Sequence, residues 1–222
     1  MRQFVVGALA AVGFVVVSWA QLAIEPCPQG IGTNSWWVRR FNAKQALVRA
    51  GGSQVVFLGD SITHNWEDPG KAQWDKYFAC EPYRALNLGF GGDRTEHVFW
   101  RIAHGEFDGY RAKVIVLMIG TNNRGHRPDV ETPADTVLGI RAILDARRAK
   151  QPGATIILLP IFPRGERPDD PFRVHDEAVN AAIRGFADGS LRTTVAQVQR
   201  LIGDRQVAVQ IDPQAFDRYA VT

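Results

Sequence analysis

The chain has 222 residues, 45% of them hydrophobic and 22% charged, with a formal net charge of +3. These values exclude wholesale disorder, collagen-like repeats and a coiled coil, and they fit one domain with a full core. Two cysteines are too few for a disulfide framework, and the basic residues form no long run, so nucleic acid is not an expected partner.

Met1-Arg2 opens a short positive region, an apolar stretch of about 14 residues follows, and Ser18-Trp19-Ala20 places small residues where a signal peptidase reads them. Residues 1–20 are expected to be a secretory signal peptide cleaved after Ala20, giving an exported protein, periplasmic or secreted. An uncleaved membrane anchor is the alternative, although the run is short of the about 20 residues that span a bilayer. In an oxidising compartment Cys27 and Cys80 either pair or remain two free, buried thiols.

Ser35 to Ala50 reads as a helix ended by Gly51-Gly52. Val55 to Leu58 is a buried strand, and the aromatic-rich stretch from about Thr63 to Ala79 is a helix with a loop. Ala85 to Leu88 is a second strand, Glu96 to His104 a helix, and Lys113 to Ile119 the clearest strand. Thr132-Pro133-Ala134-Asp135 is a helix start, with threonine as cap, proline in the first position and aspartate closing a capping box. Ala154 to Leu159 is a further strand and Phe172 to Ala187 a helix. Apolar strands alternating with amphipathic helices predict an α/β domain, a flavodoxin-like three-layer α/β/α fold with a parallel sheet of four to five strands. Ligands of such sheets bind beyond the carboxyl ends of the strands.

Three strand ends carry polar, glycine-rich turns. Gly59-Asp60-Ser61-Ile62-Thr63 exposes a serine hydroxyl on a strand-to-helix turn, although a helix-capping serine would look the same. Asn87-Leu88-Gly89-Phe90-Gly91-Gly92-Asp93 lets backbone N–H groups approach a ligand, and Arg94 excludes the dinucleotide fingerprint. Gly120-Thr121-Asn122-Asn123 offers a side-chain amide to developing negative charge.

In this order the three turns resemble the SGNH hydrolases, the GDSL esterase/lipase family, through Gly59-Asp60-Ser61, Gly92 and Gly120-x-Asn122. Ala85 to Ile102, Gly120 to His126 and Pro163-Arg164-Gly165 look like the branch that contains the platelet-activating-factor acetylhydrolase catalytic subunits. The resemblance implies a hydrolase of short-acyl or acetyl carboxylic esters. It makes Ser61 the nucleophile, and the Ser61 N–H, the Gly92 N–H and the Asn122 side chain the oxyanion hole. Asp60, His64, Asp93, Asn123 and His126 flank these blocks and are the further pocket candidates, with Asp60 expected to tie the turn. The partner is a small-molecule ester, no cofactor or metal is implied, and a homodimer follows by analogy with the relatives. A carbohydrate-ester deacetylase is a neighbouring reading, suggested by export and by Trp36, Trp37 and Trp66, although such tryptophans more often belong to a core.

One block of the family is missing. An Asp-x-x-His near the C-terminus should supply the general base, but the histidines are His64, His97, His104, His126 and His175, and none has aspartate three positions before it. His64 and His126 stand beside the motif blocks, His97 and His104 read as surface or structural, and His175, after the Pro168-Asp169-Asp170-Pro171 loop, is the candidate for a substitute base. The resemblance fades from about Ser190, where a helix at Thr193 to Ile202 and a strand at Gln206 to Ile211 are expected. This atypical tail suggests a segment out of frame or truncated relative to an intact parent. The competing expectation is a genuinely impaired or non-catalytic member.

Overall fold

The computed structural model describes residues 22–30, 32 and 35–186. The expected signal peptide, the tail helix and the tail strand lie outside the described residues. No helix among the described residues is long and apolar enough to cross a membrane.

The sheet has four parallel strands, β1 (Val55–Gly59), β2 (Leu86–Gly89), β3 (Val114–Met118) and β4 (Thr155–Leu158), in the order β2-β1-β3-β4. Register pairs Val56 with Leu86 and Ile115, and Leu58 with Leu88 and Leu117. Side chains alternate faces along a strand, so this set shares one face. It packs in one core with Val98, Ile102, Phe107, Ile140, Ile143 and Leu144. Each such side chain contributes about 1.5–3 kcal/mol when fully buried.

Among the described residues seven α-helices surround the sheet: α1 (Trp36–Ala50), α2 (Ser61–His64), α3 (Lys71–Tyr77), α4 (Thr95–Arg101), α5 (Thr121–His126), α6 (Pro133–Lys150) and α7 (Pro171–Ile183). Ser35 caps α1 through Val38 N–H at 3.3 Å, and Gly51 closes it with positive φ. The capping box of α6 forms as read: Asp135 N–H donates to Thr132 Oγ1 at 3.3 Å, and Thr132 N–H donates to Asp135 Oδ2 at 2.9 Å. The aromatic stretch after β1 divides into α2, a short 3₁₀ turn and α3, because Pro69-Gly70 interrupts it. The helix after β2 passes into a π turn over Ile102–Glu106, where Gly105 takes φ +91°.

On the opposite sheet face Phe57 meets the rings of Trp74 and Phe78. An apolar cleft of about 340 Å³ opens there, lined among others by Phe57, Trp66, Val116, Leu159 and Phe162. Ser61, Gly92 and Asn122 do not line it. Both cysteines are free thiols; Cys80 is exposed and Cys27 half-buried, so neither the pairing nor the buried-pair expectation describes them.

Candidate active site

The three glycine-bearing turns leave the carboxyl ends of β1, β2 and β3, three adjacent strands, and so converge at one edge of the sheet. Asp60 accepts from Ile62 N–H at 2.9 Å through Oδ1, which caps α2 and sets Ser61 in its first turn. This is the turn-tying role expected of it. Asp60 is almost fully buried, and burial pushes its carboxyl up to about 6. Its charge is therefore disfavoured in the folded chain and not in the unfolded one. Below about pH 4 the group is neutral in both states; above that only the unfolded chain ionises, so stability falls as pH rises from about 4 to about 6 and levels off beyond. Denaturant unfolding across that window should show this decline in the wild type and a shallower one in Asp60→Asn; equal slopes would contradict the assignment.

The β2 turn is built from its neighbours. Asn87 donates to Thr63 O and accepts from Gly89 N–H, both at 2.8 Å, so it ties the strand end to α2. Gly89 leaves room for that contact, since a Cβ there would lie 2.2 Å from His64 N. Gly91 follows, its Cβ direction 3.9 Å from Ser61 Cβ, and Gly92 adopts φ +75°. Gln29 donates to Gly91 O at 3.3 Å and fills the space over Gly92.

Asn122 begins the third turn. Its Nδ2 donates to Asp93 O at 2.9 Å, which fixes the amide plane and leaves the second Nδ2 hydrogen without a partner among the described residues. Asp93 itself corrects the sequence reading. It is fully buried, and its carboxylate accepts from Trp37 Nε1 at 2.7 Å and from Arg101 Nε at 2.9 Å. Burial raises its carboxyl to about 7 despite the pull of Arg101. Arg101 is also fully buried, lies over the Phe90 ring at 4.0 Å and pairs with Glu106. Asn123 is corrected likewise: it is fully buried, its Oδ1 accepts from Thr95 N–H at 3.0 Å, and its Nδ2 serves Thr95 Oγ1 and Glu131 at 2.9 Å each. Both residues hold the turns from behind and do not face a ligand.

His64 and His126 do reach the rim. His64 stacks under Trp36, and its Nδ1 accepts from Gly91 N–H at 3.3 Å. Burial holds its pKa below the ordinary value, so the ring is neutral with its proton on Nε2. His126 Cε1 lies 3.7 Å from the Cβ direction of Gly92, and Nδ1 faces Arg94 Nη1 at 3.3 Å. Burial first, then Arg94, Arg127 and Arg164, lower its pKa too. His97 is buried and accepts from Arg94 N–H at 3.0 Å; His104 bonds the Trp100 carbonyl. His175 is buried in α7, with Nδ1 3.2 Å from Asp176 and Nε2 without a partner among the described residues. Among the described residues, the hydrogen bonds made by the five imidazoles go elsewhere than to Ser61.

Sequence reasoning missed Gln29, Asn87, Arg94 and Arg164 at this site. Gln29 comes from 62 positions away, which no local pattern reports. Asn87, Arg94 and Arg164 lie inside the motifs that carry the resemblance, but their roles depend on contacts outside them.

A serine on a strand-to-helix turn, glycines on the neighbouring turn and an anchored amide on the third thus stand at the carboxyl ends of three adjacent strands. The GDSL-like Lipase/Acylhydrolase family model matches residues 57–213, and the chain belongs to that family. By that membership it is an ester hydrolase with the α/β fold. Platelet-activating factor acetylhydrolase IB subunit alpha1 of Homo sapiens is 34% identical over 174 residues, covering 77% of this chain and 70% of the relative. Subunit alpha2 of Homo sapiens is 34% identical over 162 residues, covering 73% and 66%. A GDSL-like lipase structure from Bacteroides thetaiotaomicron superposes with TM-score 0.52 at 17% identity over 67% of this chain and 71% of that one, a likeness of fold.

Proposed function

We propose that the chain hydrolyses short-acyl carboxylic esters, acetyl esters foremost, with Ser61 as nucleophile and the Ser61 N–H, the Gly92 N–H and Asn122 Nδ2 as oxyanion hole. Ser61 Oγ adds to the acyl carbon, the carbonyl oxygen becomes the oxyanion, and the bond to the alcohol breaks as the alcohol leaves with a proton. Water then attacks the acyl-serine and releases the acid. The observation that carries this reading is the fixed Asn122 amide: one hydrogen is anchored on Asp93 O, at the end of the glycine turn, and the other has no partner among the described residues. Donors preorganised in this way are usually the largest single catalytic contribution.

His64 lies on the same short helix as Ser61, but its Nδ1 is engaged by Gly91 and its Nε2 carries the proton. It braces the turn and does not take the serine proton. No histidine follows residue 175 in the sequence. An oxyanion hole and binding alone give about 10³–10⁴ over water. Hydrolysis of p-nitrophenyl acetate by the wild type should exceed the buffer rate by at least that order and should be slower in Ser61→Ala, which keeps only what the oxyanion hole and binding supply. Equal rates for both would favour an impaired or non-catalytic member.

Trp36 favours a second reading. It is 45% exposed, stacks on His64 and lies 3.8 Å from the Cβ direction of Gly91. An open indole beside the nucleophile suits the apolar face of a sugar ring, and so an acetylated carbohydrate. If that is the substrate, Trp36→Ala should raise KM for acetylated cellobiose and leave that for p-nitrophenyl acetate nearly unchanged; an equal rise for both would remove this reading.

A further inference from the structure

Two contacts hold the segment of residues 22–30 against the site. Ala23 is fully buried, and its carbonyl accepts from Thr95 Oγ1 at 3.0 Å; the same Thr95 hydroxyl accepts from Asn123 behind the third turn. Gln29 holds the other end, donating through Nε2 to Gly91 O at 3.3 Å. Between these anchors Pro26 and Pro28 each fix φ, one of them immediately before Gln29. Gln29 is therefore presented on a stiff segment tied at both ends, which is what a residue that reads a ligand needs.

The bond to Gly91 uses one hydrogen of the Gln29 amide. Its Oε1 has no partner among the described residues, although Gln29 is half-buried. The amide stands over Gly92, with Nε2 2.8 Å from the Cβ direction of that glycine. His126 borders the same space, with Cε1 3.7 Å from that direction. Its Nδ1 faces Arg94 Nη1, a donor, at 3.3 Å, so the neutral ring carries its proton on Nε2, next to Cε1. An unengaged acceptor and an imidazole N–H thus flank one glycine of the turn. A hydroxyl both donates and accepts, and so answers both groups at once. An alkyl group would leave both unpaired, and an anion would offer Gln29 Oε1 no hydrogen.

We propose that Gln29 is a specificity-determining residue that, with His126, binds a hydroxyl of the substrate, and that the substrate is an acetyl ester of a polyhydric alcohol with a free hydroxyl close to the ester. An acetyl group has no hydroxyl of its own, which puts the recognised one on the alcohol. The proposal rests on the Ser61 reading for the position of the ester, but the binding preference needs no turnover.

Glycerol 1-acetate and propyl acetate share an acyl group and a three-carbon chain and differ in the hydroxyls. Their affinities are measured by NMR chemical-shift titration of the full chain carrying Ser61→Ala, which leaves the esters intact. Glycerol 1-acetate should bind about fivefold more tightly, the worth of one net hydrogen bond. Adding Gln29→Leu should remove that preference and leave the affinity for propyl acetate nearly unchanged. Gln29→Asn, whose shorter amide draws back from Gly92, should lose most of the preference too, and decides the matter if melting curves show that the leucine variant does not fold. Equal affinities in the protein with Gln29 intact, no binding of either ester, or a preference that survives both substitutions would each overturn the proposal. So would an equal loss for both esters in a folded variant, which would make Gln29 only a brace for the Gly91 carbonyl. A preference that behaves as expected, with neither ester hydrolysed by the wild type, would instead count against the Ser61 reading alone.

Discussion

Asn122→Ala is expected to lower kcat for p-nitrophenyl acetate by about 10²–10³, with a much smaller change in KM. The amide is anchored by its bond to the Asp93 carbonyl, so its free hydrogen is aimed before substrate arrives. The ground-state carbonyl oxygen gains little from it, because the stronger bond forms only when that oxygen becomes an anion. An interaction made mainly in the transition state appears in kcat and not in KM. Asn122→Asp should be as damaging, since a carboxylate accepts where the reaction needs a donor. Steady-state rates on both variants check this, and a loss below about tenfold would place the hole elsewhere.

Arg101→Met should be the most destabilising single change among the described residues. Arg101 is fully buried between Asp93 and Glu106. Its removal leaves two carboxyl groups without their cation, and breaking such a buried pair costs about 3–5 kcal/mol. Burial already raises the carboxyls of Asp93 and Glu106. Without the guanidinium both rise further, so each folded-state pKa moves farther above its unfolded value. Stability is then lost as pH increases, and the deficit of the variant should be larger at pH 8 than at pH 5. Urea unfolding at the two pH values measures it. The same pair sets the Phe90–Asp93 turn, so kcat should fall along with stability. A variant as stable as the wild type at pH 8 would show that the pair does not hold the turn.

The strands were legible because each is a short apolar run stopped by glycine or a polar turn. Each observed strand overlaps the stretch read for it; β1 and β2 run one residue past it and β3 and β4 lie inside it. The cap of α6 was legible for a similar reason: threonine, proline and aspartate act on their own backbone within four residues. The sequence reading of the turns succeeds where a motif fixes the backbone, as around Ser61, Gly92 and Asn122 after β1, β2 and β3. It fails where neighbours in sequence point apart. Asn122 and Asn123 are adjacent, but α5 turns one toward the glycine turn and the other into the Thr95–Glu131 network. Asp93 follows Gly92, but Trp37 and Arg101, 56 and 8 positions away, draw its carboxylate inward. Likewise Trp36 and Trp37 occupy an exposed and a buried position of the same helix, a difference of about 100° around its axis.

The central claim is that Ser61 accepts the acyl group. Acid-quenching the protein during turnover of p-nitrophenyl acetate and mapping peptide masses tests it most directly. Acetylation confined to the peptide carrying Ser61, and absent from Ser61→Ala, is the predicted result. Acetyl found on another residue, with hydrolysis undiminished in Ser61→Ala, would contradict it.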